Sequence, residues 1–150
     1  REALNEETAY LMLHMLKGTT EETGGTGLSI DRELRMDNEI AAKTGTTQNA
    51  SDGWFMGVTK DLAAGAWVGG DDRSIHFKYW AMGQGARTAM PIWEKFMLKI
   101  YADPTLWYQK GPFDKPLKPI SVELDCDKYN DVLQPTDSLR FDLIDEDDIM

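Results

Sequence analysis

A chain of 150 residues is long enough for one domain with a real core and too short for two full ones. Its 41% apolar and 28% charged content excludes a disordered chain, and its longest apolar runs span too few residues to cross a bilayer. Sixteen Lys or Arg against 26 Asp or Glu leave a net charge of −10, which argues against a phosphate-binding surface, so no nucleic-acid partner is expected.

The charge is unevenly spread. Residues 121–150 hold ten Asp or Glu against Lys128 and Arg140, which puts −8 of the total there. The first 120 residues are close to neutral. The single cysteine, Cys126, cannot form an internal disulfide, and His14 and His76 lack ligand-like spacing, so no metal and no cofactor is expected. Arg1 in place of an initiator methionine, and no apolar leader after it, predict a chain cut from a longer protein.

Residues 5–17 read as a helix, with Asn5 as N-cap, Glu6 and Glu7 at the positive end of its dipole, and Gly18 as its stop. Its body, residues 9–16, is apolar nearly all round and so expects cover on most sides. A glycine-containing loop over 18–38 follows, with Arg32, Glu33, Arg35 and Asp37 in solvent. Three strands are expected, at 39–44, 54–59 and 63–69, the last two joined as a hairpin through Lys60-Asp61-Leu62. The small residues of the third strand call for a close neighbour, a helix.

Gly83-Gln84-Gly85 leads into a second helix ending near Tyr101, with Pro91 in its first turns. Ala89, Trp93, Phe96, Met97 and Ile100 form its core-facing stripe. Trp54, Phe55, Trp67, Trp93 and Phe96 are all expected in the core. Beyond Asp103 lie five of the six prolines, predicting an extended, weakly structured tail with one short strand at 120–124. The fold class is α+β, an antiparallel sheet flanked by helices.

Ala42-Lys43-Thr44-Gly45-Thr46-Thr47 carries the chemistry. It sets a cation, hydroxyls and a glycine together at the end of an edge strand. Gly45 lets a ligand lie against the backbone, and Thr44 and Thr46, two apart, project from one strand face. That is a site for a carboxylate. Other short patterns carry less: Gly83-Gln84-Gly85 lacks the third glycine of a dinucleotide fingerprint, and Asn49-Ala50-Ser51 fits a glycosylation acceptor only formally.

Lys-Thr-Gly is the third motif of penicillin-binding proteins and class A β-lactamases. With Asp52-Gly53-Trp54-Phe55, Ala66-Trp67-Val68-Gly69, Pro91-Ile92-Trp93 and Phe96-Met97 following in order, residues 7–101 resemble the C-terminal end of the transpeptidase domain of class A (bifunctional) penicillin-binding proteins, in a Bacteroidetes-like wording. The resemblance implies the C-terminal portion of the penicillin-binding protein/serine β-lactamase-like fold over residues 1–102, with 103–150 as a Pro-rich, then acidic tail. It implies D,D-transpeptidation of peptidoglycan stem peptides ending in D-Ala-D-Ala, inhibition by β-lactams, and a parent protein on the periplasmic side of the bacterial inner membrane. By motif, Lys43 would hold the substrate carboxylate and support proton transfer, Thr44 and Thr46 would hydrogen-bond that carboxylate beside Gly45, and the Thr46 N–H would serve the oxyanion hole.

None of Ser29, Ser51, Ser74, Ser121 and Ser138 has a lysine three residues on, and no Ser-x-Asn occurs. The nucleophile and second motif are therefore expected in an N-terminal part of the same protein, with the chain inactive alone. A non-catalytic module that grips stem peptides or β-lactams is the alternative. The uncovered apolar helix also predicts a homo-oligomer of the fragment.

Overall fold

The structure is a computed structural model and describes residues 3–125 and residue 128. The chain divides into one unit over Arg1–Leu117 and a second over Lys118–Met150. Cys126 and most of the acidic tail lie outside the described residues.

Helix α1 (Glu6–Glu21) starts where the cap signal places it: Asn5 accepts the Thr8 N–H on its side chain at 2.7 Å. Gly18 does not end it. The helix runs on to Glu21 because its last turn is tied to the next strand, with Thr19 Oγ1 donating to Ala42 O at 2.7 Å and Thr20 Oγ1 to Ile40 O at 2.6 Å. Lys17 pairs with Glu39 in the same seam. These contacts outweigh the roughly 1 kcal/mol that a helical glycine costs. Leu4, Met12 and Met15 stay exposed, so the apolar character of this helix is only partly covered.

The segment expected to be all loop contains a one-turn helix, α2 (Arg32–Arg35), capped by Asp31, which accepts the Glu33 N–H. Arg32, Glu33 and Asp37 are exposed as expected, but Arg35 is partly buried and donates to Ile30 O at 3.0 Å, and Ile30 and Leu34 reach the core. An Asx cap with apolar residues four apart was the signal for it.

Strands β1 (Ala41–Thr46), β2 (Asp52–Val58) and β3 (Ala63–Gly69) form an antiparallel sheet in the order β1-β2-β3. The Thr59 N–H to Leu62 O bond, 2.8 Å, closes the expected hairpin. β1 begins and ends two residues later than expected, so Gly45 as well as Lys43 and Thr44 lies within the strand. The cause is tertiary. The Glu39 N–H goes to Gly111 O at 3.1 Å, and the Glu39 carboxylate accepts the Phe113 N–H at 2.8 Å, so this stretch holds the returning chain instead of β2.

Helix α3 (Met90–Ala102), with its proline in the first turn, lies on one face of the sheet. Trp93 stacks tilted against Phe55, ring centres 5.1 Å apart, and lies so close over Gly57 that a Cβ there would stand 2.4 Å from the indole. Gly57 belongs to β2; α3 also packs against β3, the strand whose small residues called for a close helix. Phe55, Ala42, Ala89, Met90, Trp93 and Met97 join Ile30, Leu34 and Ile40 in the core. Three of the aromatics expected there are not in it: Trp54, Trp67 and Phe96 are each close to half exposed. The two tryptophans sit on alternate strand positions facing away from α3, and Phe96 faces outward from the helix.

After α3 the chain returns as a strap. Phe113 is buried, Gly111 N–H donates to Asn38 Oδ1 at 3.3 Å, and Gln109 N–H donates to Asp61 at 3.2 Å. Residues 103–106 form a turn closed by the Leu106 N–H to Asp103 O bond, 107–116 carry no helix or strand, and the stretch through Leu117 belongs to the first unit. The strand expected at 120–124 does not form: Glu123 turns its carboxylate back on the Leu124 and Asp125 N–H groups, both at 3.0 Å, taking donors that a ladder needs. No helix among the described residues is long and apolar enough to cross a membrane.

Burial pushes the Glu39 carboxyl up, but the Lys17 ammonium and the Phe113 N–H outweigh it and hold the group below the ordinary range. Burial likewise works against the Lys17 ammonium, and Glu39 with Glu21 raises it above the usual lysine value.

Candidate active-site strand

The Thr47 N–H donates to Asp52 O at 3.1 Å, and this bond fixes which β1 groups face β2. In an antiparallel pair the facing residues alternate. Lys43 and Gly45 therefore turn their N–H and C=O groups to β2, opposite Met56 and Trp54. Residues 40, 42, 44 and 46 turn theirs to the open edge. Thr20 and Thr19 take the Ile40 and Ala42 carbonyls there, as described, and the Lys43 ammonium reaches Thr44 O at 2.7 Å. The Thr46 N–H points outward from the sheet at the next step.

The four residues singled out by sequence, Lys43, Thr44, Gly45 and Thr46, thus lie consecutively on an edge. Lys43 is exposed; the other three are partly buried. Thr44 Oγ1 is 3.3 Å from Thr26 Oγ1, on the loop after α1. Thr46 Oγ1 accepts the Gly85 N–H at 3.1 Å, which leaves its own proton free to donate. Gly83-Gln84-Gly85, which has no nucleotide-loop pattern, therefore serves as a bracket for the site strand.

The turn after Thr46 is rigidly built. Ala50 N–H donates to Thr47 O at 2.9 Å, and Ala50 sits at φ 57°, a left-handed conformation held by full burial. Thr47 Oγ1 accepts the Asp52 N–H at 2.9 Å and lies 3.0 Å from Ser51 Oγ. Ser51 donates to Asp52 at 2.9 Å, and Trp67 Nε1 donates to the other Asp52 oxygen at 3.1 Å. Ser51, the serine nearest the motif, is thus buried and engaged in holding the turn.

A cleft of about 520 Å³ opens here. Gly45, Thr46 and Thr47 form one wall, Asp52, Trp54 and Trp67 another, with Arg73 at the rim. Sequence reasoning assigned the two tryptophans to the core and missed Asp52, Arg73, Thr26 and Gly85. Strand alternation carried the signal for Trp54 and Trp67, since each is flanked by residues that face α3. Nothing local pointed to Arg73 or Gly85, which reach the strand from 27 and 39 residues beyond Thr46.

No protein-family model matches the chain. Whole-chain comparison is more telling. The chain is 34% identical over 98 residues to penicillin-binding protein 1A of Pseudomonas aeruginosa, covering 63% of this chain and 11% of that protein. The chain is a relative of the class A penicillin-binding proteins. Penicillin-binding protein 1A of Escherichia coli is 28% identical over 116 residues, covering 67% of this chain and 13% of its own length. The crystal structure of penicillin-binding protein 1A from Haemophilus influenzae superposes with a TM-score of 0.57 at 27% identity, covering 77% of this chain and 17% of that one. The α+β fold, an antiparallel sheet flanked by helices, is thus shared with a penicillin-binding protein. The chain spans little more than a tenth of the length of the curated relatives it matches.

Proposed function

We propose that the chain supplies the Lys-Thr-Gly wall of a peptidoglycan D,D-transpeptidase, as the C-terminal part of that domain. The observation that carries this is the second half of β1, where a cation, two threonine hydroxyls and the outward Thr46 N–H follow one another along the edge strand and Gly45 and Thr46 line a cleft. In the reaction a serine Oγ bonds to the penultimate D-Ala carbonyl carbon, and the C–N bond breaks as the terminal D-Ala leaves with a proton on its amine. An amine of a second stem then attacks the ester, forms the cross-linking amide and returns the proton to the serine oxygen. Lys43 and the two threonine hydroxyls hold the terminal carboxylate. The Thr46 N–H stabilises the oxyanion, a contribution of about 2.7–4 kcal/mol for such a donor. β-Lactams use the same contacts, and opening of their ring amide leaves the acyl group on the serine.

The serine and its lysine come from an N-terminal part of the complete protein, which works on the periplasmic side of the inner membrane. That part, or in its absence a second copy of the fragment, covers the exposed Met12 and Met15 of α1. The test is intact-mass analysis of the complete protein with a reporter penicillin. One adduct is expected, on a serine outside residues 1–150, and Lys43→Ala should slow its formation by about 100-fold or more. An adduct within this chain, or full-rate acylation of Lys43→Ala, overturns the reading. Saturable penicillin binding with no adduct on any serine identifies a non-catalytic binding module instead.

A further inference from the structure

We infer that Thr26 is a positioning residue, one that turns the Thr44 hydroxyl outward as a donor for a ligand carboxylate; this rests on the reading of Lys43–Thr46 as a carboxylate-binding strand. The edge of β1 meets threonine hydroxyls at every second residue: Thr20 at Ile40 O, Thr19 at Ala42 O, and Thr26 at the Thr44 hydroxyl. The first two contacts satisfy carbonyls and are structural. The third is different, because it joins two partly solvated hydroxyls that water could equally well serve.

A hydroxyl carries one proton and two acceptor positions, whereas a carboxylate only accepts. Either hydroxyl can donate across this contact; a bound carboxylate, which only accepts, takes the Thr44 proton and so leaves Thr26 as the donor to Thr44 Oγ1. Without Thr26, the Thr44 hydroxyl loses the partner that fixes its rotor, and its proton is no longer steered. The pair therefore acts as an oriented relay.

The position of Thr26 is too closely fixed for a casual surface contact. Gly27 N–H donates to Thr19 O at 2.8 Å and Gly25 N–H to Glu22 O at 2.9 Å, so the turn is wound back on the end of α1. A Cβ at Gly25 would stand 2.3 Å from Thr19 O, so only glycine permits this approach. The same helix end grips β1 through Thr19 and Thr20. Thr26 is thereby referenced to the strand by two bonds that do not involve it.

The experiment uses the complete protein and compares second-order acylation rates for benzylpenicillin and for its methyl ester, in which the carboxylate is blocked. Thr26→Val should slow the free acid by roughly ten-fold and leave the ester unchanged. Thr26→Ser should restore the acid rate, and adding Thr26→Val to Thr44→Val should cost nothing further. Equal slowing of acid and ester by Thr26→Val, an unchanged acid rate, or full additivity with Thr44→Val would overturn the inference. If Lys43→Ala also acylates at full rate, the carboxylate-strand reading itself has failed; if Lys43→Ala is slow and Thr26→Val is not, only the role of Thr26 has.

Discussion

The two halves of β1 share one ladder with β2 and differ in what covers their outer edge. In the first half Ala41 and Ala42 are buried, and helix α1 takes the outward carbonyls with two threonine hydroxyls. In the second half Lys43 is exposed and reaches Thr44 O, Thr44 to Thr46 are partly buried, no helix among the described residues covers the edge, and Gly45 and Thr46 line a cleft. An edge strand is a row of unpaired donors and acceptors. Where side chains of the same chain satisfy that row, it holds the fold together; where the row is left open beside a cation and a cleft, it is equipped to bind.

The sharpest way to break this contrast is at the Thr46 backbone. Proline is tolerated where a strand N–H points away from the ladder, so Thr46→Pro should keep the sheet while removing the outward donor. Acylation of the complete protein should fall by about 100-fold or more, against a much smaller loss for Thr46→Val, which removes only the hydroxyl. Equal rates for the two variants would mean that the N–H takes no part.

The capped half makes the opposite prediction. Thr20→Val strips the hydroxyl from a buried carbonyl and should destabilise the sheet by about 1–3 kcal/mol, read as earlier hydrogen exchange at residues 40–46. Thr44→Val, on the open half, should change stability by no more than about 0.5 kcal/mol and act on acylation instead. A reversal of these two effects would dissolve the distinction between the halves.

A smaller effect sharpens the boundary at Glu39, where the Lys17 pair joins α1 to the returning strap. The Glu39 carboxyl is held below its ordinary value in the folded chain, so the unfolded chain takes up the proton first as pH falls. Its contribution is present above the ordinary carboxylate range and is lost as pH drops through the lowered folded value. Lys17 mirrors this: its contribution is full below the ordinary lysine value and fades as pH rises through the raised one. Glu39→Gln should therefore lower the unfolding midpoint at neutral pH and match the wild type in strong acid. A gap that persists unchanged in acid would show that the pair is not the source.

Much of the fold was legible because it is written in local periodicity. The Asn5 cap, the β2–β3 hairpin and the Trp93 stripe of α3 each follow from residues a few positions apart. Lys43 to Thr46 were legible as a candidate site because cation, hydroxyls and glycine are contiguous. Some misreadings overlooked a local signal, as at α2, Trp54 and Trp67; those at the ends of α1 and β1 come from contact between distant residues. Gly18 stays helical because Thr19 and Thr20 bind a strand 20 or more residues away, and β1 starts late because Glu39 bonds to Gly111 and Phe113.

The order of elements, the binary pattern and the chemistry of the motif are properties of neighbours along the chain, so the sequence by itself determined them. Which half of β1 is sealed and which is open was decided by tertiary structure alone. That choice depends on where α1 ends, where the Gly25-Thr26-Gly27 turn is pinned and how Gly85 reaches Thr46. The bonds from Thr19, Thr20, Thr26 and Gly85 to this strand segment span 18 to 39 residues, and no local pattern encodes where such a bond will close.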